Sequence, residues 1–166
     1  MASEIESDAT PGAERTLRLA QASRIISSAA AWSIAAGLVP LPMLDLAALG
    51  AIQAKMISDI GALYGQSLRK EAVRSTVSVL LGVLVPGQIA GGIAASSVKL
   101  VPGMGSVIGA VSLSAFGSAA SYAIGKIFVR HFEAGGTIES FRPEAVEDEL
   151  KTEVKAARSG REPKPA

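Results

Sequence analysis

Two glycine-rich stretches come nearest to a nucleotide-binding site in this chain. Gly103, Gly105 and Gly109 are spaced roughly like the glycines of a dinucleotide-binding turn. No strand pattern precedes them, however, and no acidic residue follows at the distance that such a site requires. Gly125-Lys126 is similar to the end of a phosphate-binding loop, but the first glycine and the Ser/Thr of that loop are missing. We therefore expect no nucleotide site at either stretch.

Other side chains with catalytic potential are few and scattered. The chain has one histidine, His131, and no cysteine, which excludes thiolate metal sites and cysteine nucleophiles. Its serines lack the Gly-x-Ser-x-Gly motif and a His/Asp pair that would activate one of them. The sequence therefore predicts a protein that is not an enzyme, with no catalytic residue, metal or cofactor. Only the clustering of Asp45, Lys55 or His131 in one polar cleft would indicate an enzyme.

The distribution of charge along the chain is more informative than its total. The 166 residues carry 16 basic and 15 acidic side chains, which gives a net charge of +1. This charge does not indicate the strongly basic surface that is typical of nucleic-acid binding. Three stretches have no charged side chain at all, namely 25–44, 75–98 and 100–125. Because a helix that spans a bilayer needs about 20 mainly apolar residues, these stretches indicate either membrane association or a fully buried helical core.

Apolar periodicity and its interruptions predict an all-α helical bundle. We expect helices over residues 16–39, 42–64, 67–85, 87–100, 103–132 and 143–158. Leu84-Val85-Pro86-Gly87 recurs as Leu100-Val101-Pro102-Gly103, and the proline of each copy is expected to end a helix. The chain would then fold back on itself as a central, Gly/Ala-rich apolar helical hairpin.

Composition divides the chain into four parts. Residues 1–15 are expected to be a disordered acidic N-terminus, and residues 16–141 the helical, membrane-associated domain. Residues 142–158 form an amphipathic C-terminal helix, and residues 159–166 a disordered tail. Asp45 projects onto the apolar face of the second helix and has two interpretations. It is either a first-turn carboxylate that satisfies free N–H groups or a buried polar partner of another helix or chain.

Small residues recur at four-residue spacing and predict close helix packing. The rows are Gly87 and Gly91, Gly105 and Gly109, and Gly117, Ser121 and Gly125. Such rows let helix backbones approach closely, which is how helices associate in lipid. We therefore single out these seven positions, together with Asp45, as helix-packing or interaction residues, and we expect a homo-oligomer.

The flanks of the central hairpin predict its orientation in a membrane. Arg69, Lys70 and Arg74 precede it, and Lys126 and Arg130 follow it. By the positive-inside rule, both ends of the hairpin should face the cytoplasm. We expect a bacterial inner-membrane location, integral or peripheral, with cytoplasmic termini.

The segment Val39-Pro40-Leu41-Pro42-Met43-Leu44-Asp45, with Gln53, Met56-Ile57 and Tyr64-Gly65 after it, resembles the bacterial helical domain of unknown function of the YcjF type. Val101-Pro102-Gly103-x-Gly105 and Ile124-Gly125 extend this resemblance, which covers residues 30–141. It implies an all-helical, often membrane-associated bacterial domain, commonly fused to or encoded near a P-loop GTPase. Pro42, Asp45 and Gln53 match motif positions that have no assigned role. Since this chain has no nucleotide-binding loop, its GTPase would be a separate protein.

The leading prediction is a non-enzymatic, membrane-associated helical protein that serves as adaptor or anchor for a separate GTPase. The lipid bilayer is its expected partner, and nucleic acid is not. Two alternatives stay open. One is a soluble all-helical interaction module whose core is the hairpin, and the other is a glycine-zippered membrane oligomer or pore.

Overall fold

A computed structural model describes residues 11–37, 44–94 and 104–159, and gives the side-chain surroundings for 11–36, 47–84 and 114–159. The helices are α1 (Pro11–Gly37), α2 (Leu44–Leu63), α3 (Lys70–Ala94), α4 (Met104–Glu133) and α5 (Glu147–Arg158). A short 3-10 turn, Pro143–Val146, leads into α5. The described ranges contain no strand, which confirms the predicted all-α fold.

The long helices alternate in direction. Arg15 near the start of α1 binds Glu133 at the end of α4, and Ser114 of α4 donates to the carbonyl of Ile34 near the end of α1. The Arg18 guanidinium of α1 lies over the ring of Tyr64, just after α2, so α1 and α2 are also antiparallel.

The pair formed by α2 and α3 follows the same rule. A Cβ on Gly50 would lie 3.9 Å from a Leu81 methyl group, whereas Gly61 lies against Leu68 at the other end. As a result, the C-terminal ends of α1 and α3 and the N-terminal ends of α2 and α4 share one end of the bundle.

The core lies where α4 meets the other helices. Its largest fully buried side chains are Met56, Ile57 and Ile60 of α2, Leu80 of α3 and Ile124 and Phe128 of α4. Each such aliphatic or aromatic side chain contributes roughly 1.5–3 kcal/mol when it leaves water. Helix α5 closes the bundle by burying Leu150 and Val154, the i, i+4 pair of its apolar stripe.

Two predicted boundaries are corrected by the structure. Helix α3 continues through Pro86 and Gly87 to Ala94, so the predicted end at Val85 and the separate fourth helix are wrong. A proline removes one backbone hydrogen bond, and the bonds on both sides of it can still carry the helix through. Helix α1 already includes residues 11–15, ahead of the predicted start at residue 16.

The central hairpin does not account for the packing among the described side chains. In the described part of the chain, α3 packs mainly on α2, while α4 packs on α1, α2 and α5. The predicted break at Pro102 lies outside the described residues, as do the flanking 95–103, the 38–43 connection and the two ends, 1–10 and 160–166.

Candidate functional site

One end of the bundle gathers the uncharged segments of all four long helices. These are residues 25–37 of α1, 46–54 of α2, 75–94 of α3 and 104–125 of α4, and we call this end the charge-free half. The segments of α3 and α4 are each about 30 Å long at about 1.5 Å per residue. Asp45, the second residue of α2, is an acidic residue at this end, and its side chain lies outside the described part.

Large apolar side chains stand uncovered on the charge-free half. Trp32 and Ile34 of α1 are 66% and 43% exposed, and Val79 of α3 is 43% exposed. The neighbouring Ala31 and Ala35 are exposed as well. Exposed large apolar side chains at one end of a bundle favour protein or membrane interaction there.

A basic residue bounds the charge-free half on every long helix. Moving out of this half, the first charged side chain is Arg24 on α1, Lys55 on α2, Arg74 on α3 and Lys126 on α4. Lys55 pairs with Asp59 at 2.6 Å and Lys126 with Glu153 at 2.8 Å. Basic side chains at an anionic membrane surface contribute about 1 kcal/mol each. Arg24 and Arg74 have no ion pair with any described residue, so these two give the boundary the positive charge that anionic headgroups attract.

A buried polar layer joins three helices inside the charge-free half. The Ser121 hydroxyl of α4 lies 2.9 Å from that of Ser33 on α1 and accepts a 2.8 Å hydrogen bond from the Gln53 amide of α2. It also donates to the carbonyl of Gly117 at 3.0 Å. The Gln53 carbonyl oxygen is buried and has no partner among the described atoms. The layer fixes how α1, α2 and α4 register against one another.

Two of the singled-out glycines lie where α4 meets α1 most closely. A Cβ on Gly125 would lie 2.5 Å from Cγ1 of Ile26, and one on Gly117 would lie 3.1 Å from Cβ of Ser33. Gly117, Ser121 and Gly125 therefore face helices of their own chain. Of the others, Gly87 and Gly91 belong to α3, and Gly105 and Gly109 to α4, but their surroundings lie outside the described side chains.

The opposite, charged half contains a second polar cluster, around Glu133. Its carboxylate accepts a 2.7 Å hydrogen bond from Arg15 and a 3.1 Å hydrogen bond from the Tyr64 hydroxyl. The Arg15 bond lowers the pKa of Glu133 below its ordinary value. Burial, helped by the bond to Glu133, raises the pKa of Tyr64 to about 12. The cluster ties the start of α1 and the end of α2 to the end of α4.

The raised pKa of Tyr64 predicts how the folded protein titrates at alkaline pH. Tyr64 should ionise near pH 12 instead of 10, as followed by tyrosinate absorbance, and the Tyr64→Phe variant should lack that step. Because its folded pKa is raised, the stabilisation from Tyr64 is complete below about pH 10 and is lost as the pH rises toward 12. Ionisation of Tyr64 at its ordinary pKa in the folded state would contradict this arrangement.

The structure does not bring Lys55 and His131 together, and the side chain of Asp45, the third candidate, lies outside the described part. His131 bonds through Nε2 to the Thr137 carbonyl at 2.8 Å and packs edge-on against Phe141, which fixes the turn after α4. Lys55 is engaged with Asp59 on the surface of α2. Over the described ranges, no three potential metal ligands converge.

The sequence does not indicate Ser33 or Glu133 as site residues. Neither lies in a motif, and each bonds to helices that are distant along the chain.

The helices that the structure describes include none long and apolar enough to cross a membrane.

Comparison with known protein families matches residues 10–158 to a domain of unknown function, DUF697. "Magnetosome membrane protein 22" of Magnetospirillum gryphiswaldense is 39% identical over 114 residues, which is 69% of this chain and 58% of that protein. The chain thus spans little more than half the length of this relative. No solved structure matches this chain.

Proposed function

The chain belongs to the DUF697 family, and from this premise we propose that it is a non-enzymatic membrane protein that buries its charge-free half in a bilayer. The observation that carries the proposal is the convergence of four uncharged helix segments at one end of the bundle. The relative named a magnetosome membrane protein supports the same environment.

Lipid would stabilise this end of the bundle where water does not. Trp32, Ile34 and Val79 expose apolar area there, and each Å² removed from water contributes about 25 cal/mol. The basic boundary would meet the headgroups while the hydrophobic segments lie below it. The bundle enters as a packed unit, because the polar side chains of Ser33, Gln53 and Ser121 point inward and not toward lipid.

The same arrangement orients the protein. The start of α1 and all of α5 lie at the charged half, so residues 11 and 159 fall on one side of the bilayer. Basic residues are retained on the cytoplasmic side of bacterial membranes, which favours the inner membrane with both of these positions in the cytoplasm.

A cytoplasmic charged half would serve as the anchor for a separate P-loop GTPase. Helix α5 supports this role by exposing Asp148, Lys151 and Lys155 on the side away from its buried stripe. A GTP-binding protein should co-purify with the full chain from detergent-solubilised membranes, and Lys151→Glu with Lys155→Glu should reduce its recovery. Absence of any GTP-binding protein from the wild-type complex would contradict this part of the proposal.

Contacts of the small residues favour an anchor over a glycine-zippered pore. The space beside Gly125 and Gly117 is taken by Ile26 and Ser33 of the same chain. These two glycines are therefore not available to a second copy without rearrangement of α1.

Flotation with liposomes tests membrane association with a matched pair of variants. Ile34 and Leu17 are both exposed aliphatic residues of α1, but Ile34 lies in the charge-free half and Leu17 in the charged half. Ile34→Glu should reduce recovery with neutral liposomes by about tenfold or more, since a carboxylate inside lipid costs several kcal/mol. Leu17→Glu should float like the wild type. Equal flotation of the two variants, or a wild type that stays in the aqueous fraction, would refute the proposal.

A further inference from the structure

A groove runs along the surface between α2 and α3. It encloses about 590 Å³, within the range of roughly 300–1,000 Å³ for sites that hold one small molecule. Small residues of α2, including Gly50, Ala51 and Ala54, leave the space open, and Val77 and Leu81 of α3 are among its buried apolar lining. We call it the α2–α3 groove.

The two ends of this groove differ in charge. Leu81 and Gly50 lie within the charge-free half, whereas Lys55, Lys70 and Arg74 line the other end. Asp59 faces Lys55 as its ion-pair partner. Lys70 and Arg74 are exposed and have no ion pair with any described residue. The groove thus has an apolar end directed toward the proposed membrane and a cationic end at the basic boundary.

We propose that the α2–α3 groove binds one anionic phospholipid of the bilayer, and this inference rests on the proposed function. The phosphate would lie at Lys70 and Arg74, and an acyl chain would lie along the apolar lining toward Leu81. From Lys70 to Leu81 the groove follows α3 for about 16 Å at about 1.5 Å per residue. Its volume can take a head group and part of one acyl chain, and its charge gradient matches a lipid whose head is anionic and whose tail is apolar.

Native mass spectrometry of the full chain in detergent tests this inference. It compares how much phosphatidylglycerol and how much phosphatidylcholine stay bound to the protein. Wild type should retain one phosphatidylglycerol molecule in preference to phosphatidylcholine. Arg74→Gln should weaken this retention about tenfold, because a charged side chain contributes strongly to phosphate binding. Arg69→Gln is the control, since Arg69 is exposed nearby but does not line the groove. Equal losses in the two variants would overturn the inference, because removal of nearby charge alone would then explain them.

A second pair of variants fills the groove without changing charge. Ala51→Phe should expel phosphatidylglycerol, whereas Ala48→Phe, on the exposed surface of α2 outside the groove, should not. Circular dichroism checks that both variants fold. Unchanged retention in Ala51→Phe would overturn the inference, and so would loss of self-association instead of lipid, which would assign the groove to a second copy.

Flotation on pure phosphatidylcholine liposomes separates this inference from the proposed function. All four groove-region variants should still float, because the charge-free half is intact. Flotation of a wild type that retains no phosphatidylglycerol would reject the lipid groove alone, whereas a wild type that does not float would reject membrane association as well.

Discussion

Replacing Gly125 with alanine should destabilise the bundle by about 1–3 kcal/mol, the usual cost of overpacking a tight core. The new Cβ would lie 2.5 Å from Cγ1 and 2.8 Å from Cδ1 of Ile26, so the side chain of Ile26 or all of α1 must shift. Because Ile26 is itself buried against the core, little free space is available to it. Chemical denaturation followed by circular dichroism measures the change.

Gly82→Ala provides the control, with the same chemical change and the opposite expected sign. Gly82 lies on the exposed side of α3, and a Cβ there would meet nothing within 4 Å. Alanine should stabilise α3 by about 0.5–1 kcal/mol, because it loses less backbone entropy than glycine on folding. If Gly125→Ala were as stabilising as Gly82→Ala, the close contact between α1 and α4 would be wrong.

Replacing Ser121 with alanine should cost about 1–3 kcal/mol, the penalty for leaving buried polar groups without partners. Ser33 and Gln53 would both lose their bond to this hydroxyl, and Gln53 would then have neither its amide nor its carbonyl satisfied. Equilibrium unfolding should show the loss. Ser28→Ala removes the same hydroxyl from the exposed side of α1, and it should stay within about 0.5 kcal/mol of wild type.

A second substitution distinguishes lost hydrogen bonding from lost packing. Adding Gln53→Met to Ser121→Ala removes the stranded amide while nearly keeping the side-chain volume, and it should recover most of the stability. The orphaned Gln53 carbonyl oxygen is removed at the same time. A double variant that is less stable than Ser121→Ala alone would show that packing, and not the polar layer, explains the effect.

Local patterns in the sequence were sufficient for the helical fold and for part of its packing. The i, i+3, i+4 spacing of Leu49, Ile52, Met56 and Ile60 predicts the inward face of α2, and these four are buried or packed against the core. The row of Gly117, Ser121 and Gly125 predicts a close approach of helices. It did not reveal the partner, because α1 is far from α4 along the chain and periodicity carries no information about distant contacts.

Pro86 lies inside a helix, where local sequence preference alone would not place it. Proline disfavours a helix interior by about 3 kcal/mol, and sequence reasoning therefore ended the helix there. Helix α3 continues to Ala94, which shows that its context overrides the local preference. The Ser33–Ser121–Gln53 layer and the α2–α3 groove were missed for a different reason. Each is formed by helices whose directions must be known before their side chains can be placed together.

The depth of Trp32 in a bilayer tests the central claim most directly. The chain contains one tryptophan, and it is 66% exposed on the charge-free half, so its fluorescence reports this surface alone. We predict that liposomes shift its emission to the blue, protect it from acrylamide in water, and quench it when their acyl chains are brominated. Emission and acrylamide access that stay the same with and without liposomes would contradict the account.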